Sequence, residues 1–322
     1  MDSDTVLVTG AMGCIGAWTA AHLVEEGQQV IAFDLNPDTR RIELLLKPAD
    51  LEKIVFEEGD LTDFNCVSGL LERHSVDHVI HLAALQVPFC QADPVQGARV
   101  NVVGTVNLFE AARQASISHL AYASSVAVYG PVGDDMTGPL PEEAAQSPRT
   151  MYGVFKQANE GTAGLYWSDY GVSSIGLRPH TVYGPGRDQG ITSDPSKAML
   201  AAAAGEPFTI QYSNGFLLQF ASDVARQFIE ASRHPGRGNH VFNLGGEAPS
   251  MAGLIGMIRD IVPGARIDFL EHKFPIPELM DSSALHKHFT RVSETPLLSG
   301  IEQTIQMFRR LLAEGKLSAR QE

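Results

Sequence analysis

The 322-residue chain has little cysteine, a shortage of basic side chains and no long apolar run. Its three cysteines, Cys14, Cys66 and Cys90, are an odd number with no paired spacing. That argues against a disulfide framework or a zinc cluster and fits a reducing cytoplasm. Lysine and arginine number 24 against 38 aspartates and glutamates, a net charge of −14. Such a surface repels phosphate backbones and anionic lipid, so neither nucleic acid nor membrane is an expected partner. No segment reaches the roughly 20 apolar residues a bilayer span needs. The opening Met1-Asp2-Ser3-Asp4 is acidic and leads straight into a strand-like run. A secretory leader wants a basic start followed by an apolar stretch, so none is expected.

What is present is an ordinary cored composition, 44% hydrophobic and 19% charged. The first half alternates short apolar runs with amphipathic stretches. Thr5-Val6-Leu7-Val8 ends in Thr9-Gly10, and a helix is predicted over 15–26, closed by Gly27. Gln29-Val30-Ile31-Ala32-Phe33 ends in Asp34, a helix follows over 38–47 up to Pro48, and Ile54-Val55-Phe56 runs into Gly59-Asp60. Strands are predicted over 76–82 and 119–123, with a helix over 92–115 between them. A helix over 151–170 and a strand over 172–177 continue the pattern. Beyond Arg178-Pro179 it loosens to a helix over 196–204, a strand over 241–244 and an amphipathic helix over 301–312. Strand alternating with helix predicts an α/β fold with a doubly wound parallel sheet covered on both faces. The unbroken apolar character of the strands agrees with burial on both sides.

Gly10-Ala11-Met12-Gly13-Cys14-Ile15-Gly16 lies between the first strand and the first helix. Glycines there permit a tight turn and close approach of the backbone to a pyrophosphate, which meets the amides and positive dipole end of the helix. Asp34 stands at the end of the second strand, where a carboxylate accepts from adenosine ribose hydroxyls and repels a 2′-phosphate. The expected cofactor is therefore NAD rather than NADP, although Arg40 and Arg41 lie just beyond. The expected organisation is an NAD-binding Rossmann domain over 1–175, with a returning segment near 215–245. A smaller α/β substrate-binding domain over 176–322 is interleaved with it.

The Gly-x-x-Gly-x-x-Gly spacing resembles that of the extended short-chain dehydrogenase/reductase family, the NAD-dependent epimerase/dehydratase group. Further landmarks resemble the family in collinear order to about residue 245. Asp60-Leu61 is similar to its adenine-contacting pair, and His81-Leu82-Ala83-Ala84 to the strand end that lines the cofactor. Asn101 stands where the family has a structural or proton-relay asparagine. Ala123-Ser124-Ser125-Val126-Ala127-Val128-Tyr129-Gly130 resembles its serine-bearing strand end, and Tyr152-Gly153-Val154-Phe155-Lys156 its Tyr-x-x-x-Lys. Arg178-Pro179 through Tyr183-Gly184-Pro185-Gly186 resembles the stretch after the sixth strand. The resemblance implies cofactor contacts at Gly10, Gly13, Cys14, Ile15, Gly16, Asp34, Asp60, Leu61, Leu82, Ala83, Ala84, Tyr152, Lys156 and Pro179. It also implies a homodimer through the helices over 92–115 and 151–170.

Tyr152 and Lys156 are one helical turn apart and share a face. Oxidising an alcohol requires a base for the hydroxyl proton, and a tyrosine near its ordinary value of about 10 is a poor one. A lysine ammonium and the nicotinamide charge favour tyrosinate. Ser125 orients the reacting oxygen, with Ser124 as the alternative in register. Gln86, Thr181 and Arg187 are candidate substrate contacts beside Ser125. Relatives acting on nucleotide sugars carry an asparagine where this chain has Thr181. They also carry an Arg-Asp-Phe-like diphosphate clamp where it has Phe216-Leu217-Leu218. The expected reaction is thus oxidation of a hydroxyl on a small polar substrate, a free sugar or sugar acid. The alternatives are an NAD-dependent (nucleotide-)sugar epimerase and a non-enzymatic NAD-binding sensor. Val126-Ala127 stands where dehydratases have Asp-Glu. His286 and His288 lack partners at ligand spacing, so no metal is expected.

Overall fold

The computed structural model describes residues 4–131, 138–234, 236–274 and 276–318; the opening Met1-Asp2-Ser3 lies outside them. Seven strands build one sheet: β1 (Thr5–Thr9), β2 (Gln29–Asp34), β3 (Ile54–Glu58), β4 (His78–His81), β5 (His119–Ala123), β6 (Ser173–Arg178) and β7 (Asn239–Asn243). Their order is β7-β6-β5-β4-β1-β2-β3, and every neighbouring pair is parallel.

Alternating residues of each strand point to opposite faces, and both faces are covered. Val6, Val8, Val30 and Ala32 pack on Ala17, Ala20, Leu23 and Val24 of α1 (Cys14–Glu25). Leu7, Ile31, Phe33 and Val79 pack on the other side against Val67, Leu70 and Leu71 of α2 (Phe64–His74). There they also meet Leu108 and Phe109 of α3 (Gly104–Gln114). This double coverage is why the strands read as continuous apolar runs. Helix α4 (Met151–Tyr170) precedes β6, and α5 (Ala221–Arg233) precedes β7. Val224, Ala225, Phe228 and Ile229 of α5 join the same core as α1. Two small parallel pairs, Thr181–Tyr183 with Leu218–Phe220 and Phe208–Ile210 with Ile267–Phe269, lie outside the main sheet. No helix among the described residues is long and apolar enough to cross a membrane.

One expected helix does not form as a continuous element. In place of a helix over 38–47 there is one short turn, Arg40–Glu43, followed by Pro48–Leu51. Asp34, Asn36 and Asp38 each accept an amide two residues on, and these local turns compete with a helix. The helix expected over 92–115 is present from Pro94 onward; Asp93 before it is non-helical (φ −138°, ψ 88°) because the proline follows. A π turn over Arg99–Val103 then leads into α3.

Strand order reverses between β1 and β4, which opens a crevice at the carboxyl ends of the strands. A Cβ at Gly10 would stand 2.6 Å from the Ala83 backbone, so only glycine lets the two strand ends meet there. Its φ of +70° adds the same requirement.

Candidate active site

A cavity of about 750 Å³ occupies that crevice, a volume typical of ligand sites. One end is built from the turn after β1. Gly10, Gly13, Cys14, Ile15 and Gly16 line it, and Gly13 caps α1 without contributing a side chain. Asp34, at the end of β2, accepts from the Met12 amide at 3.0 Å and faces the cavity. Asp60 and Leu61 follow β3, and Leu82, Ala83 and Ala84 follow β4, all on the lining. Bare backbone amides at a helix start, with a carboxylate acceptor beyond them, fit a dinucleotide: amides for the pyrophosphate, Asp34 for a ribose diol. Burial pushes the Cys14 thiol up to about 12, so it stays a neutral wall.

The other end holds Ser125, Tyr152, Lys156, Pro179, Gln86, Thr181 and Arg187, all on the same cavity wall. Thr150 starts α4, its hydroxyl accepting from the Gly153 amide at 3.0 Å. Gly153 allows that turn to lie against the segment after β5: a Cβ would come within 2.9 Å of Pro148. Tyr152 is thereby set on the same cavity wall as Ser125. Burial pushes the Tyr152 phenol up, while Ser125 and the Arg187 charge pull it down. The expectation that lysine supplies this pull is not met in the bare protein. The Lys156 ammonium donates to the Ala123 carbonyl at 2.6 Å and stands 5.7 Å from the Tyr152 ring centre. Ser124 lines the cavity as well, but its hydroxyl donates to Glu160 in a buried bond.

Lys156 is 2% exposed, and burial pushes its ammonium down to about 8, opposed by the charges of Cys90 and Glu160. The unfolded chain therefore holds one more proton than the folded one between about 8 and the ordinary 10.5. Raising pH through that window stabilises the fold as far as this group is concerned. The Lys156 contribution should grow by about 2 kcal/mol from pH 7 to pH 9.5. Lys156→Met should lose that growth; urea midpoints of both proteins at the two pH values check it.

Asn101 is 1% exposed and spends both ends of its amide on the Leu85 backbone, at 2.7 and 2.9 Å. It thus fixes the direction in which Gln86 leaves the strand end. His81 bonds Thr9 at 2.7 Å and Thr105 at 3.0 Å, a packed histidine that burial keeps neutral, its value near 3. Tyr129 and Tyr183 are buried within the fold. Thr181 is fully buried in its short strand. Phe216, Leu217 and Leu218 are 3%, 3% and 5% exposed and pack in the interior. Phe216 lies 5.0 Å from the Tyr212 ring and 5.6 Å from that of His180.

Of the lining residues, His180, Phe274 and Ile276 carried no signal in the sequence. His180 faces the cavity, held by the Pro277 carbonyl at 2.7 Å, and burial pushes it down to about 4, so it is neutral. Gln189, Ile191 and Thr192 bring the polar loop after Gly186 onto the wall, joined by Phe274 and Ile276 from far along the chain. Arg41 donates to the Met12 carbonyl at 2.8 Å and pairs with Asp188 at 2.7 Å. It ties the glycine turn to the loop at the far end. Only the basic character of Arg41 was visible beforehand.

The family model described as "NAD dependent epimerase/dehydratase family" matches residues 6–245. A UDP-glucose 4-epimerase of Mycolicibacterium smegmatis is 31% identical over 319 residues, 94% of this chain and 98% of the relative. The crystal structure of the Thermus thermophilus UDP-glucose 4-epimerase in complex with NAD is similar at 26% identity and a TM-score of 0.79. That match covers 95% of this chain and 99% of the other. A partial-consensus L-threonine 3-dehydrogenase is similar at 25% identity and a TM-score of 0.80, covering 96% and 99%. With a glycine turn, a carboxylate at the end of β2 and a Ser-Tyr-Lys set on one cavity, the chain belongs to the NAD-dependent epimerase/dehydratase family and is an NAD-dependent enzyme.

Proposed function

We propose that the enzyme is an NAD-dependent sugar epimerase that inverts one hydroxyl-bearing carbon. The observation that carries this reading is the single cavity joining the dinucleotide end to Ser125, Tyr152 and Lys156. Tyr152 takes the proton of the substrate hydroxyl, and Ser125 holds the same oxygen by a hydrogen bond. NAD, held by the glycine turn, Asp34 and Lys156, would supply the hydride acceptor at that carbon and the hydride donor for its opposite face. Tyr152 then gives the proton back to the reduced oxygen. Lys156, held against the Ala123 carbonyl on the cavity wall, is placed to bind the nicotinamide ribose. The Arg41–Asp188 pair supports retention of the cofactor through turnover, since it bridges the two ends of the site. The epimerase relatives support inversion, and they do not support the free-sugar dehydrogenase first expected from the sequence.

One observation favours dehydrogenation as a second reading. Phe216-Leu217-Leu218 offers no guanidinium for a diphosphate, and all three side chains are buried. The L-threonine 3-dehydrogenase likeness adds a relative named for a small substrate. Proton NMR of a sugar, sugar acid or nucleotide sugar incubated with enzyme and catalytic NAD separates the two. Appearance of the epimer without NADH supports the proposal. Stoichiometric NADH with a ketone or lactone product replaces it by dehydrogenation.

The site is also proposed to work in a homodimer. Met151, Val154, Ala158, Gly161 and Leu165 form an exposed stripe along one face of α4, beside exposed Val103 and Val106 next to and within α3. Burying such a stripe is favourable by about 25 cal/mol per Å². Analytical ultracentrifugation should give twice the 34.8 kDa chain mass, and Leu165→Glu should shift it toward the monomer.

A further inference from the structure

We propose that Arg187, Gln86 and Thr192 form a carboxylate-binding subsite at the reacting end of the cavity, so that the preferred substrate is a sugar acid, free or nucleotide-linked. This rests on the hydride-transfer reading of Ser125, Tyr152 and Lys156.

The guanidinium of Arg187 faces the cavity that those three residues line. Its Nη1 touches Gln86 Oε1 at a long 3.4 Å and its Nη2 touches Thr192 Oγ1 at 3.2 Å, both neutral. Its Nε is buried and has no hydrogen-bond partner among the described residues. The adjacent carboxylate does not serve it. Asp188 turns to Arg41, which donates to it from Nε at 3.1 Å and from Nη2 at 2.7 Å. The two acids on the cavity wall, Asp34 and Asp60, follow β2 and β3 at the dinucleotide end. The reacting end thus holds a cation with a dry donor and no protein anion.

Leaving a buried donor unmade is costly, and a guanidinium fork matches two coplanar oxygens. A carboxylate supplies that pair of oxygens. Gln86 and Thr192 flank the fork and can donate to the same group through an amide and a hydroxyl. Gly190 (φ +93°) keeps the loop close, since a Cβ there would stand 3.2 Å from Arg187 Nη2 and strike Gln86. Arg187 lines the same cavity as Tyr152 and acts electrostatically on its phenol.

Calorimetric titration of the NAD-loaded enzyme with two matched pairs tests this: D-glucuronate against D-glucose, and UDP-glucuronate against UDP-glucose. In at least one pair the acid should bind about 30-fold more tightly than its neutral partner. The pair that shows it identifies the free or nucleotide-linked source. Arg187→Gln, verified as folded by circular dichroism and NAD binding, should bring the acid to within about threefold of the neutral partner. Equal binding within both pairs overturns the proposal, as does failure of both acids to bind at millimolar concentration. Arg187→Gln weakening UDP-glucose as much as UDP-glucuronate also overturns it, because the guanidinium then serves the diphosphate. An acid that binds selectively but yields neither epimer nor NADH sinks the hydride-transfer reading and leaves the subsite standing.

Discussion

Tyr152→Phe is expected to lower turnover by about 10³-fold, within the range a positioned acid or base contributes. NAD affinity should stay within about threefold, because the ring that lines the cavity remains and only its oxygen is lost. The phenol shares the reacting end of the cavity with Ser125, which favours its ionised form. The other candidates there are poor substitutes. His180 is neutral with one ring nitrogen committed to the Pro277 carbonyl. Ser124 is committed to Glu160. Steady-state rates with the preferred substrate, with NAD binding followed by fluorescence quenching, make the measurement. A loss below tenfold would move the proton transfer to another group and remove Tyr152 from the chemistry.

Glu160→Ala should destabilise the fold by about 3–5 kcal/mol, the penalty for stripping one partner from a buried ion pair. Glu160 lies one turn beyond Lys156 on α4, and its carboxylate takes Arg178 Nε at 2.8 Å and Nη2 at 2.7 Å. The two side chains are only 9% and 5% exposed. Arg178 also reaches Tyr129 and the Glu142 carbonyl, so one guanidinium holds together α4, β6 and the segment after β5. Removing the carboxylate leaves that cation buried with no anion. Removing both charges together, as Glu160→Leu with Arg178→Met, should recover much of the loss, since well-packed apolar pairs often equal buried ion pairs. Urea unfolding of the three proteins tests this. A loss under about 1 kcal/mol for Glu160→Ala would mean that the pair is solvated in solution.

Most of the nucleotide end could be read in advance because its determinants are local. The glycine turn, Asp34 and the strand ends at Asp60 and Leu82 each follow an apolar run closely, and a parallel sheet brings strand carboxyl ends together of necessity. Tyr152 and Lys156 share a face by helical spacing alone. The segment over 38–47 departs from its helical periodicity because periodicity does not register an Asx turn.

The substrate end was less legible. Arg187 was picked out as polar and well placed, but its lack of a counter-ion depends on Asp188 turning to Arg41, 147 residues away. Phe274 and Ile276 join the wall from a segment with no motif. By itself the sequence determined which groups come together: a glycine turn, a carboxylate at the end of the second strand and a Tyr-Lys pair, each fixed by residue type at short spacing. Only the tertiary structure decided which side chains border the other end of the cavity. Which charges reach the substrate cavity unpaired depends on contacts between distant segments, and such contacts leave no periodic trace along the chain.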